Sequence, residues 1–194
     1  NEIVRPCSHG IDLHTGSNHR TNLPQIRADL EDEATRDWAR AFGAPVMINA
    51  RSRSGSLRQA AAKAGKTVLL FEAGEPLRFD SGFIRSGVDG VLRALAALEM
   101  IENTGSQAAP PPCLTVLSSS WVRARRSGIL RMDVGLGDRV AEKQPLAQIN
   151  DVFGGRGLTA RAPFDGMVIG HTNNPLVHQG DAVVHIARTG QESG

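Results

Sequence analysis

Tyrosine is absent from this 194-residue chain, cysteine occurs only twice, and aromatic residues make up 4% of it. Cys7 and Cys113 are too few and too far apart for a disulfide framework or a thiolate zinc site, so reduced thiols and a cytoplasmic setting are expected. No apolar run approaches the ~20 residues a membrane-spanning helix needs, and the first residues carry no signal-peptide pattern. No membrane partner is therefore expected. A surplus of charge is lacking too: 22 Lys and Arg against 20 Asp and Glu leave a net charge of +2, which gives no footing for a nucleic-acid partner. What the chain does have is 40% hydrophobic residues at a length that suits one or two packed domains.

The first half alternates strand and helix signals. A short strand is expected near Gly10 to His14 and a helix near Leu30 to Phe42, with Trp38 and Phe42 four apart on its inner face. Val46 to Asn49 reads as the next strand after Pro45, and a helix near Leu57 to Lys63 stops at Gly65. Lys66 to Phe71 is the clearest buried strand, delivering Glu72 at its end. Ile84, Val88, Val91, Leu92, Leu95 and Leu98 then follow helical spacing and predict a long amphipathic helix. Strands alternating with helices imply an α/β domain over 1–103.

Residues 104–113, ending in three prolines, cannot continue that helix and are expected to link two domains. Beyond them the pattern changes. Ser127-Gly128-Ile129-Leu130, Gly137-Asp138-Arg139-Val140 and Leu146-Ala147-Gln148-Ile149 are echoed by Asp165-Gly166-Met167-Val168, Gly180-Asp181-Ala182-Val183 and Val184-His185-Ile186. This pseudo-repeat of short strands and Gly turns resembles the barrel-sandwich hybrid fold of biotinyl and lipoyl domains, which predicts an all-β domain over 114–194. Lys143, the only lysine past the linker, lies outside the expected hairpin tip, so no carried cofactor is expected.

The stretch Asp12-Leu13-His14-Thr15-Gly16-Ser17-Asn18 concentrates the chemistry. In an extended segment Asp12 and His14 project to one face while Ile11 and Leu13 enter the core. His14 then stands at the carboxyl end of a strand, where open α/β sheets keep their ligand crevice. With Arg20 to Asp29 and with Leu70-Phe71-Glu72-Ala73-Gly74, this stretch resembles the succinylglutamate desuccinylase/aspartoacylase family of metallocarboxypeptidase-like zinc deacylases. The resemblance implies that His14 is a zinc ligand and Glu72 the general base. The family's other two ligands come from an upstream His-x-x-Glu that this sequence lacks. The chain also opens without methionine, at Asn1-Glu2-Ile3-Val4, so an amino-terminally truncated protein, inactive in this form, is expected.

For the intact protein the resemblance implies hydrolysis of an amide in an N-acyl amino acid or related small molecule, with one zinc per chain. Two imidazoles and a carboxylate would leave a fourth zinc position for water. Asp12 would accept a hydrogen bond from a ligand imidazole and fix its tautomer. Arg58, in Gly55-Ser56-Leu57-Arg58, stands where the family places a substrate-binding arginine, and a guanidinium suits a substrate carboxylate. Arg20, Arg27 and Arg78 are alternatives. Without tyrosine, the carboxy-terminal tyrosine of aspartoacylases has no counterpart, which speaks against N-acetylaspartate. His9 and His19 read as loop residues, and His171, His178 and His185 as residues of solvated turns and strand edges. The alternative readings are a noncatalytic binding or assembly protein and a carboxypeptidase for small peptides. Loss of sheet neighbours would expose apolar strand edges, so a homo-oligomer is expected for the chain alone.

Overall fold

The computed structural model describes residues 4–102, 109–116, 118–153, 155 and 157–189. Its chain divides into two units: Asn1–His14, Pro24–Ala73 and Arg78–Leu117 form the first, and Thr15–Leu23, Gly74–Leu77 and Ser118–Gly194 the second. In chain order the first unit holds β1 (His9–His14), β2 (Arg20–Ala28, whose first residues belong to the second unit), α1 (Glu33–Phe42) and β3 (Val46–Asn49). It continues with α2 (Leu57–Lys63), β4 (Thr67–Gly74), α3 (Ser81–Ala97) and β5 (Leu114–Val116). The strands lie in the order β1-β4-β2-β3-β5, with parallel pairs β1–β4, β2–β3 and β3–β5.

One sheet face is apolar because every second residue is: Ile26 and Ala28 on β2, Met47 on β3, and Leu69, Phe71 and Ala73 on β4 pack with Trp38, Ala39 and Phe42 of α1 and Ala94 of α3. The inward residues of α1, namely Thr35, Trp38, Ala39 and Phe42, recur at helical spacing. Asp32 caps its start by accepting from Thr35 N at 2.8 Å, and Gly43 ends it in the left-handed region at φ 78°. The helix therefore begins at Glu33 rather than near Leu30. Trp38 Nε1 donates to Ala94 O at 3.0 Å, and Arg93 Nε and Nη2 donate to Phe42 O at 3.0 and 2.9 Å, so α1 and α3 are joined at two heights.

The inner face of α3 is the expected one only in part: Val91 and Leu98 pack against the core. Gly90 and Ala94 are buried, whereas Ile84 and Val88 are half exposed. A Cβ on Gly90 would stand 2.2 Å from Phe42 Cε1, so only glycine admits so close a crossing of the two helices. Two further differences concern strands. β2 fell where no strand was expected, since Pro24, Gln25 and Arg27 interrupt any apolar run. Residues from 114 were expected to open the β-rich part, but Leu114–Val116 instead extends the parallel sheet beside β3. Residues 104–108 of the expected linker lie outside the described residues.

The second unit contains β6 (Ser119–Arg123), β7 (Gly128–Met132), β8 (Arg139–Val140), β9 (Pro145–Asn150), β10 (Leu158–Arg161), β11 (Gly166–Thr172), β12 (Leu176–Val177) and β13 (Ala182–Arg188). Four of them form an antiparallel sheet in the order β10-β9-β7-β12. β11 pairs antiparallel with β13, β8 and the first residues of β2, and β13 pairs with β6. Leu130, Leu146, Ile149, Val168, Val184 and Ile186 lie in the core of this unit. The sequence repeat has a physical counterpart in two matching turns. Asp138 Oδ2 accepts from Gly135 N, and Asp181 Oδ2 accepts from His178 N, each at 2.8 Å, with Gly137 and Gly180 at positive φ. Three histidines depart from expectation: His9 lies in β1 with its ring edge-on to Trp38, His171 lies within β11 with strands paired on both sides, and His185 is buried and stacked on Trp121. No helix among the described residues is long and apolar enough to cross a membrane.

Candidate active site

Of the residues singled out in the sequence, Asp12, His14 and Glu72 lie together towards the carboxyl ends of β1 and β4. These strands run parallel and pair His14 directly with Glu72, and Asp12 with Leu70, so all four side chains project from the sheet face opposite α1 and α3. β4 can carry a carboxylate there because Leu69, Phe71 and Ala73 anchor it from the other side. β1 is held less fully. Ile11 packs against the core as expected, but Leu13 is 60% exposed, since this last part of the edge strand has outrun the apolar cover.

The imidazole that Asp12 meets is that of its neighbour two residues on. Asp12 Oδ1 lies 2.9 Å from His14 Nε2 in a close ion-pair contact, while the His14 side chain keeps 46% of its surface exposed. With Nε2 facing the carboxylate, Nδ1 is the nitrogen left to meet a ligand. Glu72 is fixed from the other side. Its Oε2 accepts from Arg27 Nε at 3.1 Å and from Gln25 Nε2 at 3.2 Å, both from β2, and its Oε1 has no partner among the described residues. Gln25 is wholly buried, and its own Oε1 meets no donor among the described residues.

Arg58 is anchored rather than open. It lies in the first turn of α2, which Ser56 caps by accepting from Gln59 N at 3.2 Å. Its Nη1 donates to Arg27 O at 3.0 Å and its Nη2 to Ala50 O, which ties together the backbone at the carboxyl ends of β2 and β3. Burial lowers its pKa from the ordinary arginine value, and the nearby Arg27 charge adds to that. Arg58 thus reaches Glu72 only by way of Arg27. Gln25 and Arg27 are the site residues the sequence reading underrated. Their signal was the alternation Gln25-Ile26-Arg27-Ala28, polar to one face and apolar to the other, which marks a half-buried strand.

Among the described residues no three His, Cys, Asp or Glu side chains are grouped closely enough to hold a metal ion. The site offers one imidazole, braced by a carboxylate, beside a second carboxylate braced by an arginine. The profile of the succinylglutamate desuccinylase/aspartoacylase catalytic domain matches residues 1–98, just over half of the chain. The chain belongs to this family. The Nα-acetyl-L-2,4-diaminobutyric acid deacetylase of Halomonas elongata is 24% identical over 195 residues, covering 95% of this chain and 57% of that protein. The product-bound ectoine utilization protein EutE (DoeB) of Ruegeria pomeroyi shares its fold at a TM-score of 0.84 and 19% identity, over 96% of this chain and 60% of the other. A family member from Rhodobacter sphaeroides superposes at a TM-score of 0.83 with 24% identity, over 98% and 61%. The chain thus spans somewhat under two thirds of the length of these relatives.

Proposed function

We propose that this deacylase-family chain carries the Glu72 half of the active site of a zinc-dependent amide hydrolase acting on an N-acyl amino acid. The observation that carries the reading is the direct pairing of His14 with Glu72 at two parallel strand ends, each side chain held by its own partner. The donor chemistry suits zinc in part. An exposed imidazole with Nε2 engaged by a carboxylate is a fitting ligand, but the described residues supply it alone, short of the three protein ligands of a hydrolytic zinc. The remaining donors have to come from outside the described residues, and the 194 residues by themselves are proposed to be inactive.

When bound, zinc would bring the pKa of its water towards neutrality and polarise the acyl carbonyl. The chain's own residues do the rest. Glu72 takes the water's proton on its unengaged oxygen and returns it to the leaving amine, a task worth ~10² to 10⁴ in rate. Asp12 holds the His14 ring. Arg58, with both terminal nitrogens fixed on carbonyls, still has N–H donors to offer a substrate carboxylate. Nα-acetylated diamino acids, the substrate class named for the Halomonas relative, head the candidates. For the second unit we propose the barrel-sandwich hybrid fold, on the strength of its two matching Gly-Asp turns. A cytoplasmic setting completes the proposal.

The test is zinc stoichiometry on the full-length protein beside His14→Ala, followed by hydrolysis of Nα-acetyl amino acids. About one zinc per chain, lost in the variant, is expected. No zinc in either protein would move the reading to a noncatalytic binding or assembly protein.

A further inference from the structure

Two donors from one strand converge on a single oxygen of Glu72. Gln25 and Arg27 lie two apart on β2, so the strand's alternation puts both on the Glu72 face, and each donates to Oε2, from Nε2 at 3.2 Å and from Nε at 3.1 Å. We propose that Gln25 and Arg27 are positioning residues that pin Oε2 of Glu72 and so reserve Oε1 for the proton. This rests on the reading of Glu72 as general base and deepens it, by naming which oxygen works and what aims it.

The physical case is the state of Gln25. A residue with no exposure at all in a strand interior would serve stability best as Leu or Val. Here an amide is buried instead, with its Oε1 meeting no donor among the described residues. An unsatisfied buried acceptor is a standing cost, and such costs persist where a site requires them. The hydrogen bond this side chain makes is to Glu72. Arg27 adds direction. Its backbone carbonyl accepts from Arg58 Nη1 at 3.0 Å, so the strand end bearing the guanidinium is tied to α2. A general base acts only when its free oxygen lies within hydrogen-bond reach of the proton, and a carboxylate pinned through one oxygen loses the rotation that would misplace the other.

The experiment uses the full-length protein with zinc, Nα-acetyl-L-2,4-diaminobutyrate as probe, and the variants Gln25→Leu, Arg27→Ala, Glu72→Gln and Arg27→Ala/Glu72→Gln. Arg27→Ala is expected to lower kcat about 10- to 100-fold, part of the ~10² to 10⁴ a general base supplies, with KM little changed and partial rescue by added guanidinium. The double variant is expected to be no slower than Glu72→Gln, because a residue acting through Glu72 has nothing left to act on. Gln25→Leu is expected to lower kcat while its Tm stays level or rises, which a merely structural residue would not do. That melt needs no turnover. A fall in Tm with Gln25→Leu, losses that multiply in the double variant, or a rise in KM without loss of kcat would overturn the clamp. Glu72→Gln at full kcat would instead overturn the base assignment itself. Glu72→Gln inactive with Arg27→Ala and Gln25→Leu unimpaired would leave the base and remove only the clamp.

Discussion

Asp12 and His14 are spaced by two in the sequence, and the whole meaning of that spacing comes from the strand they share. A helix would place them on different sides, whereas β1 puts both on one face and brings Oδ1 to 2.9 Å from Nε2. A carboxylate in that position fixes the tautomer and orientation of the ring and strengthens it as a donor to a metal. Asp12→Ala should therefore weaken zinc binding by the full-length protein about 10- to 100-fold, the usual effect of losing such a partner, and Asp12→Asn should weaken it less. Competition with a chelator measures both. Unchanged affinity in Asp12→Ala would reduce Asp12 to a residue that merely ends the strand.

At the scale of elements, the helices are set by caps and by small residues as much as by apolar stripes. Asp32 caps α1, and its hydrogen bonds from Thr35 hold its pKa below the ordinary carboxylate value, with the Arg36 charge a lesser cause. A depressed pKa means that the cap stabilises the fold above the unfolded pKa and is lost as pH falls through the folded one. The Tm advantage of the native protein over Asp32→Asn should thus shrink as the pH drops below about 4, and parallel melting curves from pH 7 to about 3 would refute this. The same scale shows what a single sequence can disclose. β4 was legible because Leu69 and Phe71 alternate within an unbroken apolar run, and its end fixed Glu72. β2 was not, because its polar face is turned to the site and Pro24 interrupts it. The inner face of α3 was read in part, since Val91 and Leu98 do pack on the core, but Gly90 and Ala94, not Ile84 and Val88, are what the close crossing with Phe42 requires. The family motif brought His14, Asp12 and Glu72 into view. The bonds from Gln25 and Arg27 to Glu72 span 47 and 45 residues, and nothing local in the sequence announces them.

For the whole molecule the telling feature is the edge of the first unit's sheet. β1 pairs with β4 on one side and with no strand on the other among the described residues, which leaves a row of backbone donors and acceptors open to pairing. Native edges are blunted with charge, proline or a bulge, but here the site-bearing end of β1 presents Leu13 at 60% exposure. An edge of that kind recruits another strand, and in a solution of this polypeptide the strand at hand is that of a second copy. The 194-residue chain is therefore expected to self-associate with rising concentration in sedimentation or light scattering. Leu13→Lys, which puts a charge on the edge without touching the Asp12 to His14 contact, should shift it towards monomer. A native chain that stays monomeric throughout the range, with the variant leaving the molecular mass unchanged, would refute the edge of β1 as the surface of association.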